Sequence, residues 1–157
     1  MNPGLHEIPD LNLTAWPDLD PQWQRRLEAA ILAVIPPNYF AFPETPEALS
    51  AAVKFARDNR WKLLPCGSGS KLNWGALVQE SQLVISTQRL NRIVEHAVGD
   101  LTVTVEAGVR LAQLQQALQP SRQFLPLDPA YPESATIGGI IATADSGSWR
   151  QIGRAHV

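Results

Sequence analysis

Two stretches of this sequence place glycines and hydroxyl residues where they would grip an anion. The first, Cys66-Gly-Ser-Gly-Ser-Lys-Leu-Asn-Trp-Gly75, follows a short apolar run. Glycines there let consecutive backbone N–H groups turn toward one anion without a Cβ in the way. Ser68 and Ser70 add hydroxyl donors. A diphosphate suits such a loop, and an ordinary glycine turn is the alternative for the loop taken alone. The second stretch, Pro126 to Gly147, places Thr136 just before Gly138 and Gly139 and then a run of small residues. Close approach of a ligand explains that pattern, and so does a tightly packed helix entry.

Two stricter phosphate loops fail here. The nucleoside-triphosphate loop needs Gly and Lys adjacent before Ser or Thr, but Ser70 separates Gly69 from Lys71, and Leu72 comes next. The dinucleotide fingerprint begins with Gly67 and Gly69, yet its third glycine would fall at Leu72. Lys71 has the charge to neutralise a phosphate but is read as a solvated loop lysine. Cys66 reads as a small semi-buried filler, since no histidine lies near it in sequence to activate a thiol. Trp74 reads as a core residue in preference to a platform for a base, and Asp128 as a turn residue.

Composition narrows the field. The 157 residues are 45% hydrophobic and 18% charged, enough for one core and too few for two comfortable domains. Thirteen Lys plus Arg against fifteen Asp plus Glu give a net charge of −2 with no basic tract, so no nucleic-acid partner is expected. One cysteine and three scattered histidines (His6, His96, His156) offer neither an internal disulfide nor metal-ligand spacing. No apolar run approaches the roughly 20 residues of a membrane span, and a cytoplasmic setting is expected.

The elements that must position the loops follow from periodicity and punctuation. Residues 1–19 read as an extended or poorly ordered arm. Asp20 and Pro21 then start a helix with Trp23, Leu27, Ala30, Ile31 and Val34 on one face, stopped by Pro36 and Pro37. Tyr39 to Phe42 is a strand, and Thr45 and Pro46 open a helix that ends near Asn59 with Leu49, Ala52, Val53 and Ala56 inward. Trp61 to Pro65 is a second strand, and strand–helix–strand order predicts parallel pairing. Strands follow over Leu83 to Ser86, Arg92 to Ala97 and Thr102 to Glu106, with Gly99 and Asp100 turning between the last two. A helix over Leu111 to Leu118 ends at Pro120, and Gly138 to Ala144 starts a short apolar helix. The fold class is α+β: a small parallel sheet with helices, then a second, incomplete sheet.

Pro65-Cys-Gly-Ser-Gly-Ser-Lys71 followed, about 60 residues on, by Ala135-Thr-Ile-Gly-Gly139 resembles the FAD-binding domain shared by vanillyl-alcohol oxidase, D-lactate dehydrogenase and glycolate oxidase, the PCMH type. The likeness covers roughly residues 38 to 151. Within the family, the loop Pro65 to Gly75 and the stretch Ser146-Gly-Ser-Trp-Arg150 most resemble the E subunit of bacterial glycolate oxidase. The resemblance implies that Gly67, Ser68, Gly69, Ser70 and Asn73 contact the diphosphate of FAD, with Thr136, Gly138, Gly139 and Gly147 facing it from the other side. Some members attach the flavin through a histidine in the first loop. Cys66 to Gly75 has none, so FAD is expected noncovalently. The implied activity is that of the FAD-binding subunit of a 2-hydroxy-acid (glycolate) oxidase or dehydrogenase, with a second flavin subunit and an iron-sulfur subunit as partners and peripheral membrane association only through them. The alternatives are a flavin-binding assembly subunit without turnover, a different enzyme on the same flavin domain, and a non-functional fragment.

On this reading residues 1–37 are an N-terminal arm and helix, 38–151 a partial FAD-binding domain, and 152–157 a non-native tail. Ile152-Gly-Arg-Ala-His-Val157 is also the translation of a common sequencing adapter in one frame, whose next codon is a stop. A truncated chain is therefore expected, with weak or no retention of FAD. No residue is assigned to the hydride-transfer chemistry.

Overall fold

The computed structural model describes residues 6–32 and 36–151, and the side chains of all of these except Arg150 and Gln151. It divides into two compact units, Met1–Leu90 and Asn91–Val157.

In the first unit four strands, β1 (Leu11–Ala15), β2 (Tyr39–Pro43), β3 (Leu63–Cys66) and β4 (Leu83–Ser86), form one sheet in the order β1-β2-β4-β3. β2 and β3 each run parallel to β4, which lies between them, so the predicted parallel relation holds without the two strands touching. β1 pairs antiparallel with β2 from Leu11 opposite Pro43 to Ala15 opposite Tyr39. The arm expected over residues 1–19 thus carries an edge strand. A short, half-polar segment of that kind shows little strand signal, because its order comes from the apolar edge of β2.

Helices cover both faces of the sheet. α1 (Pro21–Glu28) is capped by the Asp20 carboxylate, which accepts from the Gln22 N–H at 2.7 Å. Its Trp23 and Leu27 bury against Phe40, Phe42 and Val84. α2 (Pro46–Asp58) is capped by Thr45, whose hydroxyl accepts from the Ala48 N–H at 3.1 Å. It packs on the opposite face, where Ala52 and Ala56 join Ala41, Leu83 and Ile85. The alternation Phe40, Ala41, Phe42 and Leu83, Val84, Ile85 sends neighbours to opposite faces, as a strand must.

Two expectations need correction. α1 stops at Glu28, because the backbone of residues 30–32 pairs with Val78 instead: Val78 N–H donates to Ala30 at 2.9 Å and Leu32 N–H to Val78 at 2.8 Å. Ala30 is still buried and Ile31 packs on the core; Val34 lies outside the described residues. On α2, Val53 is 43% exposed and Ala48 takes the inward place, giving a stripe of Ala48, Ala52 and Ala56 spaced by four.

The second unit holds a two-stranded antiparallel sheet, β5 (Ile93–Ala97) and β6 (Thr102–Val105), and two helices, α3 (Leu111–Leu118) and α4 (Ile137–Thr143). Val103 and Val105 turn inward with Ile93 to pack on Val109, Leu111, Leu114, Leu118, Ala135, Ile137 and Ile140. Between the strands the left-handed residue is Leu101 (φ 56°), not Gly99 or Asp100, which sit in a 3-10 turn. The irregular stretch after α3 is held by one side chain. Gln115 donates to Leu125 O at 2.7 Å and accepts from Leu125 N–H at 2.9 Å, replacing a strand partner.

Glu106 closes the open end of the two-stranded sheet. Its carboxylate accepts from the Arg92 N–H at 2.8 Å and from the guanidinium at 2.9 and 2.6 Å, and its own N–H donates to Arg92 O at 2.9 Å. Those bonds hold its carboxyl below the ordinary value of 4.5. A lowered carboxylate pKa adds stability that is complete above the ordinary value and is lost as pH falls through the lowered one. Glu106→Gln should therefore lower stability at neutral pH and flatten its acid dependence, which denaturation midpoints across that range would show.

Candidate functional site

The first loop leaves the carboxyl end of β3, the end of a parallel sheet where ligand sites gather. β3 and β4 are in register from Leu63 opposite Leu83 to Cys66 opposite Ser86, which sets Ser86 beside the loop's first peptide. From there three side chains reach three successive carbonyls. Thr87 Oγ1 donates to Cys66 O at 3.4 Å, Ser86 Oγ to Gly67 O at 2.8 Å, and Arg26 Nη1, from α1, to Ser68 O at 2.6 Å. The peptides are trans, so each N–H lies opposite its own carbonyl. The N–H groups of Gly67, Ser68 and Gly69 are therefore each turned away from the side chain that braces their peptide. Among the described residues no hydrogen-bond partner is found for the N–H groups of Ser68, Gly69 and Ser70.

Gly69 has φ +74°, and a Cβ on it would lie 2.6 Å from Cζ3 of Trp23. The glycine is thus demanded by both conformation and packing. Ser68 is buried, Ser70 half-buried and Asn73 exposed on the turn that follows.

Lys71 and Trp74 reverse their expectations. Lys71 is only 8% exposed, with its ammonium 5.3 Å from the centre of the Trp74 ring, whereas Trp74 is 43% exposed. The ammonium lies over the aromatic face, a cation–π arrangement that local sequence does not reveal. Cys66 is half-buried and packs against the cluster of Trp23 and Phe40. Burial pushes its thiol up to about 12, against smaller lowering by Ser86 and by the charge of Arg26. It is a filler, as the sequence indicated.

The second segment is organised differently. Thr136 is 2% exposed and caps α4, its hydroxyl accepting from the Gly139 N–H at 3.2 Å. The Ile137 N–H donates to Val109 O and the Gly138 N–H to Ala107 O, both at 2.8 Å. Of the amides from 134 to 140, that of Thr136 alone lacks a partner among the described residues. A Cβ on Gly138 would lie 2.8 Å from that of Ala107, and one on Gly147 (φ +66°) only 2.0 Å from Asp128 O. Both glycines are required by packing within the unit. At Gly139 a Cβ would meet only the Thr136 hydroxyl, at 3.0 Å.

The nine predicted residues thus form one set in each unit. Sequence reasoning missed Arg26, Ser86, Thr87 and Trp23, which shape the first loop from other elements. The available signal was the hydroxyl pair Ser86-Thr87 ending the neighbouring parallel strand. Among the described residues no group of acidic, cysteine and histidine side chains could hold a metal ion, and no helix is long and apolar enough to cross a membrane.

Run-on amides without partners among the described residues, serine hydroxyls and nearby cations make a donor set suited to an anion. The family model for an FAD binding domain matches residues 37–156, and the chain belongs to that family. It is 33% identical over 144 residues to D-2-hydroxyglutarate dehydrogenase of Xanthomonas citri pv. viticola, covering 89% of this chain and 29% of that protein. It is 30% identical over 124 residues to glycolate oxidase subunit GlcD of Bacillus subtilis, covering 79% and 24%. Among solved structures, alkyldihydroxyacetonephosphate synthase superposes with a TM-score of 0.63 at 25% identity, over 71% of this chain and 23% of that one. A variant of berberine bridge enzyme, at 20% identity and a TM-score of 0.64 over 85% and 28%, shares the fold. The chain spans about a quarter of the length of these proteins. FAD is the cofactor this domain serves.

Two outcomes follow from the loop. Gly69→Ala should cost about 2–4 kcal/mol, combining left-handed strain with overpacking on Trp23, whereas Gly75→Ala, left-handed but in open space, should cost about 1 kcal/mol. Denaturant midpoints would rank them. Alkylation of Cys66 near pH ~8 should be about a thousandfold slower in the folded chain than in the unfolded one, because almost none of the folded thiol is ionised.

Proposed function

We propose that this domain serves an FAD-dependent dehydrogenase or oxidase of 2-hydroxy acids, and within that class a glycolate-oxidising assembly. The observation that carries the reading is the braced run Gly67–Ser68–Gly69, in a chain whose relatives are named for 2-hydroxyglutarate, lactate and glycolate, all 2-hydroxy acids.

In this reading the N–H groups of Gly67, Ser68 and Gly69, the hydroxyls of Ser68 and Ser70, and the Asn73 amide bind the diphosphate. In the second unit the Thr136 N–H, the one amide of residues 134–140 without a partner among the described residues, is a proposed anion donor of its own segment. Gly138, Gly139 and Gly147 contribute close packing and a surface free of side chains. Bound flavin supplies a two-electron acceptor for the hydride of the carbon bearing the hydroxyl. The chain's own part is grip: fixed amide dipoles aimed at an anion, with no reorganisation needed on binding. With no histidine in the loop and a neutral, packed Cys66, that grip is noncovalent. A second flavin subunit and an iron-sulfur subunit are the proposed electron-accepting partners.

Acid precipitation of the whole flavoprotein should release all of its flavin. Glycolate should bleach that flavin anaerobically faster than D-lactate or D-2-hydroxyglutarate; a faster response to either of those would reassign the substrate. ADP should compete with FAD, and Asn73→Ala should weaken FAD about 3- to 10-fold, the loss of one net hydrogen bond. FAD binding indifferent to ADP would sink the diphosphate assignment.

A further inference from the structure

We infer that Arg26 is a positioning residue for the anion site, acting through the main chain of Ser68 to aim and strengthen the Gly69 N–H donor. The inference rests on the diphosphate reading of the first loop and adds to it a residue outside the loop, 42 positions earlier in sequence.

Arg26 lies in the last turn of α1, and its Nη1 donates to Ser68 O at 2.6 Å, the shortest of the three braces on the loop. Its guanidinium also lies 5.6 Å from the centre of the Trp23 ring, the ring that Gly69 packs against. One side chain thus fixes both the Ser68–Gly69 peptide and the aromatic surface beneath it. The charge matters as well as the geometry. A cation on a carbonyl polarises the whole peptide, so the N–H on its far side becomes a better donor to an anion. Ser86 and Thr87 hold the two preceding carbonyls by neutral bonds, so the polarising effect is specific to the Gly69 N–H. A surface arginine merely attracting anions would not need its guanidinium committed to a part-buried main-chain oxygen.

The test is amide NMR of the 15N-labelled full chain titrated with ADP. In the native chain the amides of Ser68 and Gly69 should shift on titration; absence of any response in the loop would defeat the diphosphate reading itself. Given that response, Arg26→Gln, too short and uncharged to hold Ser68 O, should weaken ADP about 10-fold or more, the worth of a charge-assisted bond, while Arg26→Lys stays within about 3-fold. Arg26→Gln that keeps a native-like spectrum and binds ADP within about twofold of the native chain would overturn the inference. Should that variant fail to fold, the native chain decides. The Arg26 guanidinium and the Ser68 carbonyl carbon should move along the same ADP isotherm as the Gly69 amide, and stationary resonances would refute the coupling.

Discussion

The register of β3 against β4 is the constraint on which the first loop depends. Cys66 opposite Ser86 is the last pair of that ladder, and it leaves the Ser86 hydroxyl within 2.8 Å of Gly67 O at the point where the chain departs from the sheet. A shift of one residue would put Ile85 or Thr87 at that position and turn the apolar set of Leu83 and Ile85 to the wrong face. Burial of both faces of β4 therefore fixes the register, and the register fixes the direction of the loop's first peptides. The loop geometry is an end product of core packing.

The glycines divide by cause. In the first loop Gly69 answers to a left-handed backbone and an indole ring. In the second unit Gly138 and Gly147 answer to other backbone segments, at Ala107 and Asp128. The two segments were legible as a pair because each carries glycines beside hydroxyl residues, but a glycine pattern alone does not separate close approach of a ligand from close approach of the chain to itself. The hydrogen-bond pattern distinguishes the two segments. Amides without partners lie at Ser68 to Ser70, whereas those of Ile137 and Gly138 are consumed internally.

Much of the fold was legible in the sequence. Thr45-Pro46, Asp20-Pro21 and the leucines of α3 mark their helices through caps and periodicity, which are local effects. What escaped were features decided at a distance: β1, ordered by the edge of β2; the end of α1, surrendered to Val78; and the positive φ of Leu101 where a glycine two residues earlier invited it. The braces on the first loop belong to the same class. Arg26, Ser86 and Thr87 are ordinary in composition and meet the loop only after the sheet has formed.

The sheet of the first unit is covered unequally. Behind it the alanines 48, 52 and 56 bring α2 close to the strands, beside Tyr39, Trp61 and Phe55 in ring contact at 5.4 to 5.6 Å, and in front Trp23, Phe40 and Phe42 stand at centroid separations of 4.9 to 6.0 Å. Methyl-sized contacts leave no slack, while rings can tilt against one another. Sequence drift is therefore filtered differently at the two contacts: the alanine stripe tolerates almost no gain in volume, and the front cluster can absorb changes in shape only by moving Trp23, against which Gly69 packs. The packing that bears on the loop is thus that of the front cluster, through Trp23.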